Sequence, residues 1–152
     1  MAPNNVGSLV TVAALATSLL LGACGDGGPQ QIEFVEFGQP QDDTERTSLV
    51  AVLADPSRFN GQRIRVQGVL HIEFEANQLC LDRASVESFV PTNCLRLGLG
   101  QQLVAREREL AQWNGRYATL VGTVRPTTTH DHFSGRIDDV VHLMVMTSRR
   151  RL

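Results

Sequence analysis

The sequence contains no lysine, and all fourteen of its basic residues are arginine. Acidic residues slightly outnumber them, giving a formal net charge of −2 at pH 7. A dedicated nucleic-acid binder carries a basic excess on one face. Binders of single strands also stack bases on exposed aromatic rings, whereas the alternation described below points the aromatic residues inward, with Tyr117 as the exception. We therefore expect no nucleic-acid partner.

The sequence also lacks the motifs of common catalytic sites. It has no serine nucleophile elbow, no H-E-x-x-H zinc motif, no glycine-rich phosphate loop and no CxxC pair. Its acidic residues are scattered, and Glu73 with Glu75 is more typical of a solvated pair than of an acid/base couple. We expect a protein that is not an enzyme and needs no cofactor. A metal-dependent hydrolase is the enzymatic alternative.

No apolar run reaches the roughly twenty residues that a membrane-spanning helix needs. Thr11–Leu21 is apolar over about half that length and leads into Leu21-Gly22-Ala23-Cys24. A short apolar core ending in small residues is typical of a secretory signal peptide. Leu-x-small-Cys at its end resembles the bacterial lipobox, in which the cysteine is lipidated and becomes the new N-terminus. We therefore predict a signal peptide over residues 1–23 and a lipid on Cys24 that anchors the protein to a membrane of the bacterial cell envelope, facing the periplasm or the cell exterior.

Positive charge is missing where a signal peptide ordinarily begins, because Met1–Ser8 contains no Arg. Either the α-amino group suffices, or the natural start lies upstream of Met1. A cleaved signal followed by a chance cysteine is the alternative to lipidation.

Three further segments follow from composition and periodicity. Residues 24–46 are rich in Gly, Pro, Gln and acids, which suits a tether. Within them, Ile32–Phe37 is strand-like, and it either adds an edge strand or covers apolar surface. Residues 47–147 form the predicted domain, and residues 148–152 form a basic tail.

The domain pattern predicts mainly β structure. Arg63–Phe74 alternates, with Ile64, Val66, Gly68, Leu70, Ile72 and Phe74 on the inward side. Shorter strands are predicted at Gln78–Asp82, at Asn93–Leu99, after Gly115 and at Arg136–Met146, with a short helix from about Thr47 and a longer one over Gly100–Trp113. This order is typical of an OB-fold, a small five-stranded barrel with a helix between its third and fourth strands. An open α+β sandwich is the alternative.

Several motifs resemble a group of uncharacterised bacterial proteins. These are Asp55-Pro56 followed by Phe59-Asn60-Gly61, then Leu70-His71-Ile72-Glu73-Phe74-Glu75-Ala76-Asn77-Gln78-Leu79, Asn93-Cys94-Leu95 and His130-Asp131-His132-Phe133-Ser134-Gly135. The resemblance spans about Leu49–Leu143 and implies an OB-fold-like envelope protein, but no established activity. Cys80 and Cys94 depart from the group, which tends to have Tyr and Ala there.

The two remaining cysteines are predicted to form a disulfide, Cys80 with Cys94. If Leu79, Leu81, Leu95 and Leu97 point inward, both cysteines point outward on adjacent antiparallel strands. Directly opposed residues have Cβ atoms about 4.5–5.5 Å apart, close to what a disulfide requires. The same register pairs Gln78 with Arg96 and Asp82 with Thr92.

The predicted ligand surface combines outward strand residues with one loop. It comprises Arg65, His71, Arg96, His130 and His132. We expect it to bind another envelope protein or a glycan. The alternative is a sensor that holds a small ligand or a metal in the His130–His132 loop, although two alternate histidines without a third ligand predict no high-affinity metal site.

Overall fold

The computed structural model describes residues 31–74, 76–127 and 131–149. This part of the chain contains six strands: β1 Gln31–Gly38, β2 Arg63–His71, β3 Gln78–Cys80, β4 Cys94–Leu99, β5 Tyr117–Pro126 and β6 Gly135–Arg149. It also contains four short α-helices: α1 Leu49–Ala54, α2 Arg83–Glu87, α3 Gln101–Val104 and α4 Glu107–Leu110. Short 3₁₀ turns lie at Pro56–Phe59, Pro91–Asn93 and Ala111–Trp113.

Strands β2 to β6 close into a ring. The pairs β2–β3, β3–β4, β2–β5 and β5–β6 are antiparallel, and the parallel pair β4–β6 completes the circuit. The prediction of a mainly β protein with a closed five-stranded barrel is therefore confirmed at this level. β1 lies outside the ring as an additional strand, antiparallel to β6.

Alternation along β2 fills the barrel as predicted for most of its length. Ile64, Val66 and Leu70 are at most 2% exposed and join the core. Phe74 was predicted to point inward, but it is 84% exposed. The reason is that β2 ends at His71 and Phe74 lies in a turn, closed by the Ala76 N–H donating to the Glu73 carbonyl, so the strand period no longer applies there.

Two Asn-Gly corners start β2 and β5. Gly61 and Gly115 adopt φ of +79° and +77°, the left-handed region that glycine enters at little cost. At the second corner the Asn114 amide bonds both backbone groups of Ile72, accepting from its N–H at 2.6 Å and donating to its carbonyl at 2.9 Å. This corner therefore fastens the end of β2 to the start of β5.

The segment between β4 and β5 differs from the single helix predicted over Gly100–Trp113. It forms α3, α4 and a 3₁₀ turn, of which Leu103 and Leu110 are fully buried. The guanidinium carbon of Arg106 lies 4.4 Å from the ring centroid of Phe37 on β1. These short turns pack one face of β1 onto the core.

Strand β1 occupies residues that composition assigns to the tether. It pairs with β6 over its whole length, from Gln31 opposite Arg149 to Gly38 opposite His142. Phe37 is completely buried in the core, whereas Ile32 and Phe34 are 55% and 51% exposed. The ordered structure thus begins well before residue 47, and β6 extends into the predicted basic tail.

Two patches on the outside of the barrel are buried although alternation directs them to solvent. One consists of Val69, Cys80 and Cys94, which are paired across β2, β3 and β4 and are at most 1% exposed. Residues 82–93, including α2, pack over them, and we call this segment the disulfide cover. The predicted strand pairing of Asp82 with Thr92 would leave only Arg83–Pro91 as a connection between strands.

The other buried patch consists of Val121 and His142, paired across β5 and β6. Residues 39–47, which we call the strap, run from β6 to the far side of β2: Gln39 N–H donates to the Val141 carbonyl, and Arg65 N–H donates to the Glu45 carbonyl. The outward guanidinium of Arg65 donates to the Gln41 carbonyl. The strap therefore crosses the outer face and shields this patch.

Candidate functional site

Two of the predicted functional residues, Cys24 and His130, lie outside the described residues. The remaining ones are Cys80, Cys94, Arg65, His71, Arg96 and His132. The structure places the two cysteines under the disulfide cover, His71 and Arg96 in a row on the barrel surface, and Arg65 against the strap, whereas His132 lies apart, just before β6.

Cys80 and Cys94 lie opposite each other, as predicted, with their Sγ atoms 2.11 Å apart, at disulfide distance. The predicted pairing of Gln78 with Arg96 is also found. Their outward direction does not expose them, because the disulfide cover buries both. β3 ends at Cys80, so the expected strand pairing of Asp82 with Thr92 is not formed.

Asp82 starts the disulfide cover. Its Oδ1 accepts hydrogen bonds from Ser85 N–H at 2.7 Å and from Ser85 Oγ at 2.8 Å, which caps α2. These bonds stabilise the carboxylate and lower the pKa of Asp82. Asn93 donates to Ser85 Oγ at 3.1 Å, so the two ends of the cover are joined over the cysteine pair.

Four polar side chains form a row across β2, β3, β4 and β6. The strand registers pair His71 with Gln78, Gln78 with Arg96 and Arg96 with Arg136. The residues next to them along their strands are buried: Leu70 beside His71, Leu79 beside Gln78, Leu95 and Leu97 on either side of Arg96, and Ile137 beside Arg136. Period two therefore directs the four side chains outward, and we call them the polar row.

Two loops border the polar row. Residues 72–74 and 76–77 lie between β2 and β3 beside His71 and Gln78, and the ring of Phe74 is exposed there. Residues 131–134 lead into β6 beside Arg136. Ser134 Oγ donates to the Thr92 carbonyl at 2.6 Å, which attaches this second loop to the disulfide cover.

Carboxylates balance the positive charge of the row. Asp131 Oδ2 lies 4.0 Å from Arg96 Nη1, and the Asp131 side chain is 13% exposed. Arg136 donates to Asp138 Oδ1 from Nε at 2.9 Å and from Nη2 at 2.7 Å. His71 Nε2 lies 3.2 Å from Glu73 Oε2. The row thus presents oriented donors without a strong net charge, an arrangement suited to hydrogen bonding with a polar ligand.

The predicted ligand surface is only partly assembled. His71 and Arg96 lie in one row, and Asp131 of the neighbouring loop contacts Arg96, whereas His132 is exposed. Arg65 is not part of this surface, because its guanidinium binds the strap. Sequence reasoning missed Arg136 and gave Gln78 no role. The sequence predicted the pairing of Gln78 with Arg96. It did not predict the parallel pairing of β4 with β6, which places Arg136 beside Arg96.

No group of three or more His, Cys, Asp and Glu residues that could hold a metal ion occurs within residues 31–74, 76–127 and 131–149. In the same ranges, every helix is too short or too polar to cross a membrane.

Comparison with known proteins gives no assignment: no family model, no curated protein and no solved structure matches the chain. The resemblance to uncharacterised bacterial envelope proteins therefore stays a prediction from sequence motifs. Function has to be argued from the site itself.

Proposed function

We propose that this protein is an exported OB-fold-like module that is held in the bacterial cell envelope by a lipid on Cys24 and binds a partner without catalysis. The observation that carries the binding role is the polar row, four outward side chains aligned in register between two loops. The preferred partner is an envelope glycan, with another envelope protein as the second class.

The strand order supports the OB-fold assignment. The ring closes through a parallel pair between its third and fifth strands, β4 and β6, and α3 and α4 lie between its third and fourth strands. OB-folds bind oligosaccharides and oligonucleotides on the face of their second and third strands and on the loops at either side. In this chain those strands are β3 and β4, which carry Gln78 and Arg96.

The cysteine pair supports export. Disulfides persist in oxidising compartments and are rare in the reducing cytosol. Cys80 and Cys94 at disulfide distance agree with the signal peptide and lipobox proposed from residues 1–24. On this proposal Cys24 carries the lipid, and the other two cysteines form the disulfide.

The chemistry of the row favours a glycan. Arg96 and Gln78 offer planar donors that match hydroxyl and carboxylate oxygens, and the exposed Phe74 ring at the end of the row offers an apolar face for a sugar. No specific contact favours the sensor alternative: His132 is exposed, and His130 lies outside the described residues.

Site-specific crosslinking in intact cells tests the binding role. A photo-crosslinking residue in place of Gln78 should capture an envelope glycan or protein. The yield of this adduct should fall when Arg96 is changed to Ala. The matched control places the same residue at Glu87, exposed on α2, where we expect little capture. Equal capture at the two positions would contradict a site on the polar row.

Mass spectrometry of membrane-fraction protein tests the anchor. We expect a mature chain that starts at a lipidated Cys24, and a Cys24→Ala variant that leaves the membrane fraction. A chain that retains Met1 or carries an unmodified Cys24 would overturn this part of the proposal.

A further inference from the structure

A groove on the outer surface beside the strap has the features of a second binding site. Its floor is the outer face of β1, β6, β5 and β2, where the registers align Glu36 with Met144 and Thr119, and Phe34 with Met146. The strap forms one wall. The groove has a volume of about 410 Å³, within the usual range for small-ligand sites.

The buried end of the groove contains a polar atom without a partner. His142 lines the groove and is 7% exposed, and its Nε2 has no hydrogen bond to any of the described residues. Buried polar atoms are nearly always hydrogen-bonded in folded proteins. Nε2 is itself buried at the inner end of the groove, so its missing hydrogen bond points to a ligand that reaches it when the strap moves aside.

The charges around His142 indicate which kind of ligand fits. Glu36 on β1, Asp42 on the strap and Arg65 on β2 line the same groove and act on His142 electrostatically. The Arg65 guanidinium is engaged by the Gln41 carbonyl, whereas Glu36 and Asp42 are exposed. Arg46, also on the strap, lines the groove beside Arg65.

Burial lowers the pKa of His142, and Arg65 lowers it further, while Glu36 and Asp42 oppose the shift. The imidazole is therefore neutral at neutral pH. In the tautomer with its proton on Nδ1, Nε2 accepts a hydrogen bond.

We propose that this groove binds a small amphipathic amine: its ammonium group donates to His142 Nε2 between the Glu36 and Asp42 carboxylates, and its alkyl part lies on Phe34, Met144 and Met146. Neutral His142 supplies the acceptor, the two carboxylates supply the opposite charge, and the thioether and aromatic side chains supply the apolar floor. This inference does not depend on the lipid anchor or on the polar row.

Titration with three probes of equal chain length tests the proposal on protein produced from the full chain. The probes are n-butylammonium, butyrate and butanol, and the readout is the imidazole NMR signals of His142. We expect butylammonium to bind about tenfold or more tightly than either of the others, the range of a charge-assisted hydrogen bond. Butyrate binding as tightly as butylammonium would show that the arginines dominate and would overturn the proposal.

Charge variants provide the second arm. The double variant Glu36→Gln and Asp42→Asn should lose about tenfold in butylammonium affinity, while Glu87→Gln on the distant α2 should change nothing. Both acids are exposed, so the substitutions are expected to leave the fold intact. Unchanged affinity in the double variant, or His142 signals that do not move with butylammonium, would likewise overturn it.

Discussion

The disulfide cover and the strap both bury outward side chains of the barrel, but they are held in place by different interactions. Each crosses the outside of the barrel and buries outward side chains, Val69 with the cysteine pair in one case and Val121 with His142 in the other. The disulfide cover lies over a cross-strand covalent pair, and its own start is capped by Asp82. The strap lies over an imidazole with an unpaired nitrogen and is held on its inner side by Arg65.

The comparison teaches that burial alone does not make two patches equivalent. The cysteine patch is apolar and cross-linked. Opening the disulfide cover would therefore expose apolar surface to water without any new hydrogen bond to compensate. In the histidine patch, Nε2 of His142 has no hydrogen-bond partner. When the strap opens, water can bind Nε2, and this offsets part of the free energy needed to open the strap. We therefore expect the strap to open more readily than the disulfide cover.

The largest expected effect comes from removing the cross-link. The double variant Cys80→Ala and Cys94→Ala should lose about 3 kcal/mol in free energy of unfolding, the chain-entropy value for a loop of about fifteen residues; the cysteines lie fourteen positions apart. Urea denaturation measures the loss, and reductant should destabilise the parent but not the variant. A Cys24→Ala control should unfold like the parent. Full labelling of both thiols in the folded parent would contradict the cross-link.

A smaller effect is expected from releasing the strap. Arg65→Ala removes the guanidinium bond to the Gln41 carbonyl and should cost about 1 kcal/mol. Hydrogen exchange of the Gln39 and Thr47 amides, which bond Val141 and Arg65 carbonyls, should become faster, while the amides of α2 keep the parental rate. Arg108→Ala, on the exposed face of α4, is the control. Equal acceleration in α2 would mean that the two covers open together.

The smallest effect concerns pH. The pKa of His142 in the folded protein lies below its ordinary value of about 6.5, so the unfolded chain binds the proton more tightly. Protonation therefore favours unfolding, and stability should fall as pH drops below about 6.5. In a His142→Leu variant this part of the pH dependence should vanish, with stability at pH 7 changed by less than about 1 kcal/mol. Parallel pH profiles for parent and variant would show that His142 is not responsible.

Sequence reasoning recovered what depends on local pattern. Period two in β2 placed Ile64, Val66 and Leu70 inside, and two leucine patterns were enough to set Cys80 opposite Cys94. Each of these inferences needs only residues near one another in sequence or on one hairpin.

The two covers could not be predicted in this way. Alternation tells which face of a strand a residue occupies, but not whether a distant segment crosses that face. Alternation therefore assigns Val69, Cys80 and His142 to the outward side without showing that they are buried. Arg65 was grouped with the ligand surface for the same reason, because nothing in its own strand reveals the strap that it holds.

If Cys24 carries the proposed lipid, the early start of β1 limits how far the barrel can move from the membrane. With a lipid on Cys24, seven Cα–Cα steps lead to Gln31, where pairing with β6 begins, and a fully extended chain covers about 25 Å in that distance. The barrel is then confined to a thin layer above the bilayer and explores it in two dimensions. Its encounters are restricted to molecules at the membrane surface, where confinement raises the effective concentration of even a weakly held partner.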